Sequence, residues 1–70
     1  GVLVVGLDPG GMAARAGVEL GDVLVTVGGI ATNDPGFGDA WRAAWGSREG
    51  AALPIVAWRG DARLTLTAQV

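Results

Sequence analysis

DPGGMAARAGVELGDVLVTVGG, residues 8–29, decides the fold, because turn, helix, turn and strand signals follow one another there in a fixed order. Asp8-Pro9-Gly10-Gly11 stops the apolar, β-branched run Val2 to Leu7, since Pro fixes φ and Gly admits φ > 0. The run reads as a strand and the four residues as its turn. Met12 to Ala16 is Ala-rich and closes on Gly17, a residue suited to the left-handed position after a helix of barely one and a half turns. Leu20-Gly21-Asp22 is a second turn, and the β-branched run Val23 to Val27, ended by Gly28-Gly29, is a second strand.

Working outward toward the C-terminus, Asn33-Asp34-Pro35 is a helix start signal. Asp34 suits the N-cap, accepting backbone N–H bonds, and Pro35 the first helical position. The helix is expected to run to Trp45 and to stop at Gly46, with its first turn loosened by Gly36 and Gly38. Phe37, Trp41, Ala44 and Trp45 share one face, at helical spacing, and Asp39 and Arg42 lie off it. Beyond the polar loop Ser47 to Gly50, Leu53, Ile55 and Ala57 alternate with Pro54, Val56 and Trp58, the pattern of a strand carrying Pro on a sheet edge. Gly60-Asp61 suits a two-residue hairpin turn, and Arg63 to Val70 alternates as a half-buried final strand.

Composition excludes several functions. Seventy residues make one small domain, residues 1–70; such a chain buries only roughly 60% of its unfolded surface. With no Cys and no His, the chain holds no disulfide, no thiolate or imidazole zinc site and no Ser-His or Cys-His pair. No cofactor is called for. The formal charge is −2 and the five Arg are dispersed rather than striped, which argues against nucleic acid. The run Val2 to Leu7 is too short to span a bilayer and no charged segment precedes it, so no direct membrane contact is expected. The start at Gly1, without Met and directly in a strand-like run, suggests a piece of a longer protein.

The motif order resembles the PDZ domain in the form found in bacterial, HtrA-like envelope proteases. There a strand leads into a Pro-Gly-Ser-Pro-Ala-Ala-Arg-Ala-Gly-Leu type of segment and then Gly-Asp-Val-Ile. Pro9, Gly10, Ala13, Ala14, Ala16, Gly17, Gly21, Asp22 and Val23 sit where that pattern wants them. Met12 stands in place of the usual Pro, and Gly28 in place of the usual Asn of an Asn-Gly turn. Trp58-Arg59-Gly60-Asp61 matches the family's Arg-Asp-Gly hairpin turn with the last two residues exchanged. The resemblance implies an α+β, mainly β fold, a small partly open β-barrel with one short and one longer helix.

It also implies a function. Such a module binds an extended peptide, usually a C-terminus, as an added strand, with main-chain bonds for affinity and side-chain pockets for specificity. Carried onto this sequence, the helix wall of the groove is Phe37, Ala40, Trp41 and Ala44. An aromatic stripe at helical spacing reads more readily as core, and Phe37 and Trp41 can serve both, since one helix faces core and groove together. Trp45 and Trp58 are either partner contacts or lids on the core. The carboxylate-binding loop and the peptide-receiving strand of the family precede the equivalent of Val2 to Leu7, so the open edge left here invites edge pairing with another chain or a swapped dimer. The implied parent is a peptidase, with a catalytic domain as neighbour and the periplasm or cell envelope as setting. The alternative is a structural or assembly domain whose groove is incomplete or blocked, a reading that Trp41 and Trp45 favour if they fill it.

Other motifs lead nowhere catalytic. Gly36-Phe37-Gly38 imitates a phosphate-binding GxGxxG, yet Trp41 holds the third Gly position. Asp8, Asp22, Asp34, Asp39 and Asp61 lack calcium-loop spacing, and solvated turn or cap roles account for all but Asp39. Ser47, the sole serine, has no base, and nothing in the sequence buries Asp39 and Glu49 as a carboxylate pair.

Overall fold

The computed structural model describes residues Gly1–Val70. Its elements are β1 (Val2–Leu3), α1 (Met12–Ala16), β2 (Val23–Val27), β3 (Ile30–Ala31), α2 (Phe37–Trp45), β4 (Ala52–Arg59) and β5 (Ala62–Gln69). The strands form one open antiparallel sheet in the order β1-β2-β4-β5, with β3 paired to the end of β2. An open sheet with one short and one longer helix is the PDZ-like α+β arrangement expected from the motifs.

Residues 8–29 fold as read. The N–H groups of Gly10 and Gly11 both bond to the carbonyl of Asp8, closing the first turn. Gly17 ends α1 at φ 99°, and the N–H groups of Gly17 and Val18 satisfy the carbonyls of Ala14 and Ala13. Gly28 and Gly29 both adopt positive φ, the requirement of the tight turn joining β2 to β3.

The first strand is shorter than its apolar run. Regular pairing covers only Val2 opposite Leu24 and Leu3 opposite Val23. Two further bonds, Val4 N–H to Asp22 O at 2.8 Å and Gly21 N–H to Val4 O at 2.9 Å, extend it by a residue. Its partner then turns away at Gly21-Asp22, so Val5 to Leu7 has nothing to pair with. Propensity marks a residue as fit for a strand; a neighbour makes it one.

The longer helix starts later than Asp34 and Pro35 predict. Asp34 accepts the N–H of Gly36 on its side chain at 2.8 Å and the N–H of Phe37 on its carbonyl at 3.0 Å, a turn ahead of the helix rather than its cap. Gly36 takes the N-cap place and α2 begins at Phe37, as the low helix propensity of Gly favours. The end at Trp45 is as expected, although Gly46 stays right-handed, at φ −60°, and the chain reverses only at Gly50, φ 82°.

Leu53, Ile55 and Ala57 of β4 point inward with Ala68 of β5 and Val18 after α1, and these five are the buried apolar residues. β4 therefore lies at the centre of the sheet, which corrects the edge position expected from Pro54. Pro54 is tolerated because its missing N–H faces β2 just where β2 has ended, one step past the Val27–Ile55 pair. Gly60, at φ 60° with Asp61 at negative φ, makes the tight turn from Arg59 to Ala62.

Candidate functional site

All four residues of the proposed groove wall lie on α2, and they divide into two stripes. Phe37 and Trp41 are half-buried, whereas Ala40 and Ala44 are exposed. Trp41 and Trp45 pack against the core cluster of Val18, Leu53, Ile55 and Ala68. The Trp41 and Trp45 rings thus turn to the core, while Ala40 and Ala44 face outward. The indole Nε1 of Trp41 is buried and finds no hydrogen-bond acceptor.

Trp45, one turn on, has its donor satisfied. Its Nε1–H bonds to the carbonyl of Gly28 at 3.1 Å. Gly28 N–H bonds across the sheet to Pro54 O at 2.7 Å, and in an antiparallel hydrogen-bonded pair residue 54 would return an N–H to Gly28 O. Proline has none to give, and the indole supplies it. The same packing explains why Gly stands where the family has Asn: a Cβ on Gly28 would run into the Trp45 indole and lie 2.8 Å from Leu53 Cδ1.

β2 bulges, its pairing with β4 jumping from Leu24–Ala57 to Thr26–Val56 so that Val25 is left over. Thr32 closes the irregularity from the far side. Its N–H and Oγ1–H reach the carbonyl of Val25 at 3.0 and 3.2 Å, and Oγ1–H also reaches that of Leu24 at 2.7 Å.

One charged constellation escaped the sequence reading. Asp22, expected as a solvated turn residue, is 1% exposed. Arg59 bonds it side-on, Nε to Oδ1 and a terminal nitrogen to Oδ2, both at 2.9 Å. The guanidinium also holds the Gly17 carbonyl and Glu19 Oε2, each at 2.9 Å, so that the end of α1 and the turn into β2 are clasped to β4. The hydrogen bond from Arg59, followed by that from the Glu19 N–H, holds the Asp22 carboxyl below its ordinary 3.8 against the desolvation that would raise it. The hydrogen bond from Asp22 likewise raises the Arg59 pKa, with desolvation opposing. A signal was present: alternation through Leu53, Ile55 and Ala57 sends residue 59 to the same inner face, and an Arg there needs an acid.

The sheet edge at β1 carries exposed apolar side chains, with Val2 at 48%, Leu3 at 55% and Val5 at 82% exposure. Trp58 is also exposed, on the outward side of β4, and so is no lid on the core. The one cavity, of about 250 Å³, lies between α1 and β5 and is lined by Met12, Arg15, Ala16, Thr67, Ala68 and Gln69. No cavity borders α2.

Comparison with known proteins agrees with this architecture. A family model described as "PDZ domain" matches residues 3–40, which span β1 through the first half of α2. Over 35 residues the chain is 51% identical to a protein of Halomonas elongata named "Probable periplasmic serine endoprotease DegP-like". That segment is 50% of this chain and 7% of the relative's length. The matched residues hold the turn, short helix and Gly-Asp strand entry whose geometry is described above, and the chain belongs to the PDZ domain family of non-catalytic protein-interaction modules.

Proposed function

We propose that the chain is the substrate-recognition or regulatory module of a larger bacterial peptidase, taking up an extended peptide or protein C-terminus as an added strand. Phe37, Ala40, Trp41 and Ala44 form the helix wall. The observation that carries this reading is the match of residues 3–40 to the PDZ domain family, together with the placement of Phe37, Ala40, Trp41 and Ala44 on the longer helix of that fold. The relative's name supplies the peptidase context. Heteronuclear NMR titration with free and C-terminally amidated peptides tests it: shifts at residues 37–44 and at β1, weakened by amidation, are expected.

A second reading, an assembly domain whose open edge packs against a neighbouring domain or a second copy, is favoured by one observation. The Trp41 and Trp45 rings pack on the core and leave no cavity beside α2. Absence of any shift at millimolar peptide selects it. A concentration-dependent sedimentation coefficient then points to a second copy.

A further inference from the structure

We propose that the cleft between α1 and β5 is a second docking site, separate from the groove beside α2, which takes an acidic side chain carried by an extended segment of a partner protein. Its floor and its polar rim come from two short stretches of chain. Met12, Arg15 and Ala16 stand at i, i+3 and i+4 and share the face of α1 turned to β5, and Thr67, Ala68 and Gln69 are consecutive on β5. Ala68 is buried and Met12 and Ala16 are half-buried, so the floor is apolar. Arg15, Thr67 and Gln69 are exposed around it. Arg42 and Arg59 are held in ion pairs with Asp39, Glu19 and Asp22, but the Arg15 guanidinium has no acid of its own. At about 250 Å³ the cavity is smaller than the roughly 300–1,000 Å³ of a small-molecule pocket and suits one side chain of a larger partner.

The strand beside the cavity has main-chain groups to offer. β5 pairs only with β4 and stands at the end of the sheet order β1-β2-β4-β5, so one of its sides is open. Which residues face that side follows from the ladder. Gly28 N–H bonds to Pro54 O, so the polar groups of residue 54 and of every second residue after it turn to β2, while those of Leu53, Ile55 and Ala57 turn to β5. Their partners Ala68, Leu66 and Leu64 are therefore bonded to β4, and the N–H and C=O groups of Thr65, Thr67 and Gln69 point out from the sheet edge. Thr67 and Gln69, which line the cavity, are thus two successive attachment points for an added strand. The residue of that strand lying on the same face as Ala68 enters the cavity, crosses its apolar floor and ends at Arg15. A carboxylate there gains a guanidinium that no group in the chain neutralises, and Glu, with two methylenes to cover the floor, is the best match.

Peptides capped at both ends, rich in β-branched residues and differing only in a central Glu or Gln, provide the probe; they carry no terminal carboxylate. On ¹⁵N-labelled protein the Glu peptide is expected to shift the amides of residues 12–16 and 63–69 and to bind about fivefold tighter than its Gln twin, the difference shrinking as salt is raised. Arg15→Gln changes an exposed position and is expected to keep the fold and erase the preference. Thr67→Pro removes an N–H that the β4–β5 ladder does not use and is expected to weaken both peptides. Equal affinity of the twins, no shift at millimolar peptide, or a Glu preference that survives in Arg15→Gln overturns the proposal. Shifts confined to residues 37–44 place the peptide beside α2 and overturn it while leaving the reading of that helix intact. A sedimentation coefficient that rises with protein concentration and ceases to do so in Thr67→Pro gives the β5 edge to a second copy and likewise overturns it.

Discussion

Trp45 gives its indole N–H to the carbonyl of Gly28 and thereby replaces a backbone donor that Pro54 lacks. Three residues far apart in sequence are coupled by a single bond. Trp45→Phe is expected to cost about 1–3 kcal/mol, the usual consequence of stranding a partly buried carbonyl.

Gly28→Ala is expected to be worse, because the new methyl meets the Trp45 ring and Leu53 as well as the positive φ. In a Trp45→Ala background the ring is gone, and the added loss should shrink toward the roughly 1 kcal/mol owed to backbone strain. Chemical denaturation of the four proteins measures the coupling. Additive losses would mean that the ring and the glycine do not share the site.

Acid should unfold the chain partly through Asp22. Its folded pKa lies below the ordinary 3.8, so the native state binds fewer protons there than the unfolded state does. The stability it contributes is fully present above that ordinary value and drains away as pH falls through the folded one. Melting temperatures taken between about pH 5 and pH 2 should fall more steeply for the native protein than for Asp22→Asn. Equal slopes would remove Asp22 from the acid transition.

Two ion pairs predict opposite outcomes. Arg42 and Asp39 sit three residues apart on α2, 71% and 89% exposed, and Arg42→Ala is expected to change stability by less than about 0.5 kcal/mol. Arg59→Ala leaves the buried Asp22 carboxylate without its partner and should lower the melting temperature far more than Arg42→Ala. Thermal unfolding of the two variants side by side decides.

Thr32→Val keeps shape but removes the hydroxyl that bonds the carbonyls flanking the Val25 bulge. A loss of about 1 kcal/mol is expected, with larger chemical-shift changes at Leu24 and Val25 than at β5. An unchanged stability would mean that the Thr32 N–H suffices to close the bulge.

Much of this fold is legible in the chain because its punctuation is local. Gly17, Gly28 and Gly60 take the positive φ that their places in the motif require, and Leu53, Ile55 and Ala57 alternate inward as written. What local signals do not carry is pairing at a distance. Val5 to Leu7 has strand propensity without a partner, and Pro54 suggested an edge because nothing near it reveals that β2 stops one residue short. Asp22 resembled a surface turn residue since its Arg lies 37 positions away. On α2, spacing placed Phe37, Trp41 and Trp45 on one face, yet it could not show that the Trp41 and Trp45 rings pack on the core while Ala40 and Ala44 face solvent.

Asp22 also has a second attachment, through its backbone. Its carbonyl receives the N–H of Val4, one of the two bonds that extend the first strand beyond Leu3, while its side chain is gripped by Arg59 at the far end of β4. The edge that a partner strand would meet is thus tethered by the same residue that the clasp immobilises. Amide hydrogen exchange at Val4 should accordingly quicken in Arg59→Ala, ahead of the amides of β4 and β5. A side chain on one strand would then set how long the opposite margin of the sheet stays in place.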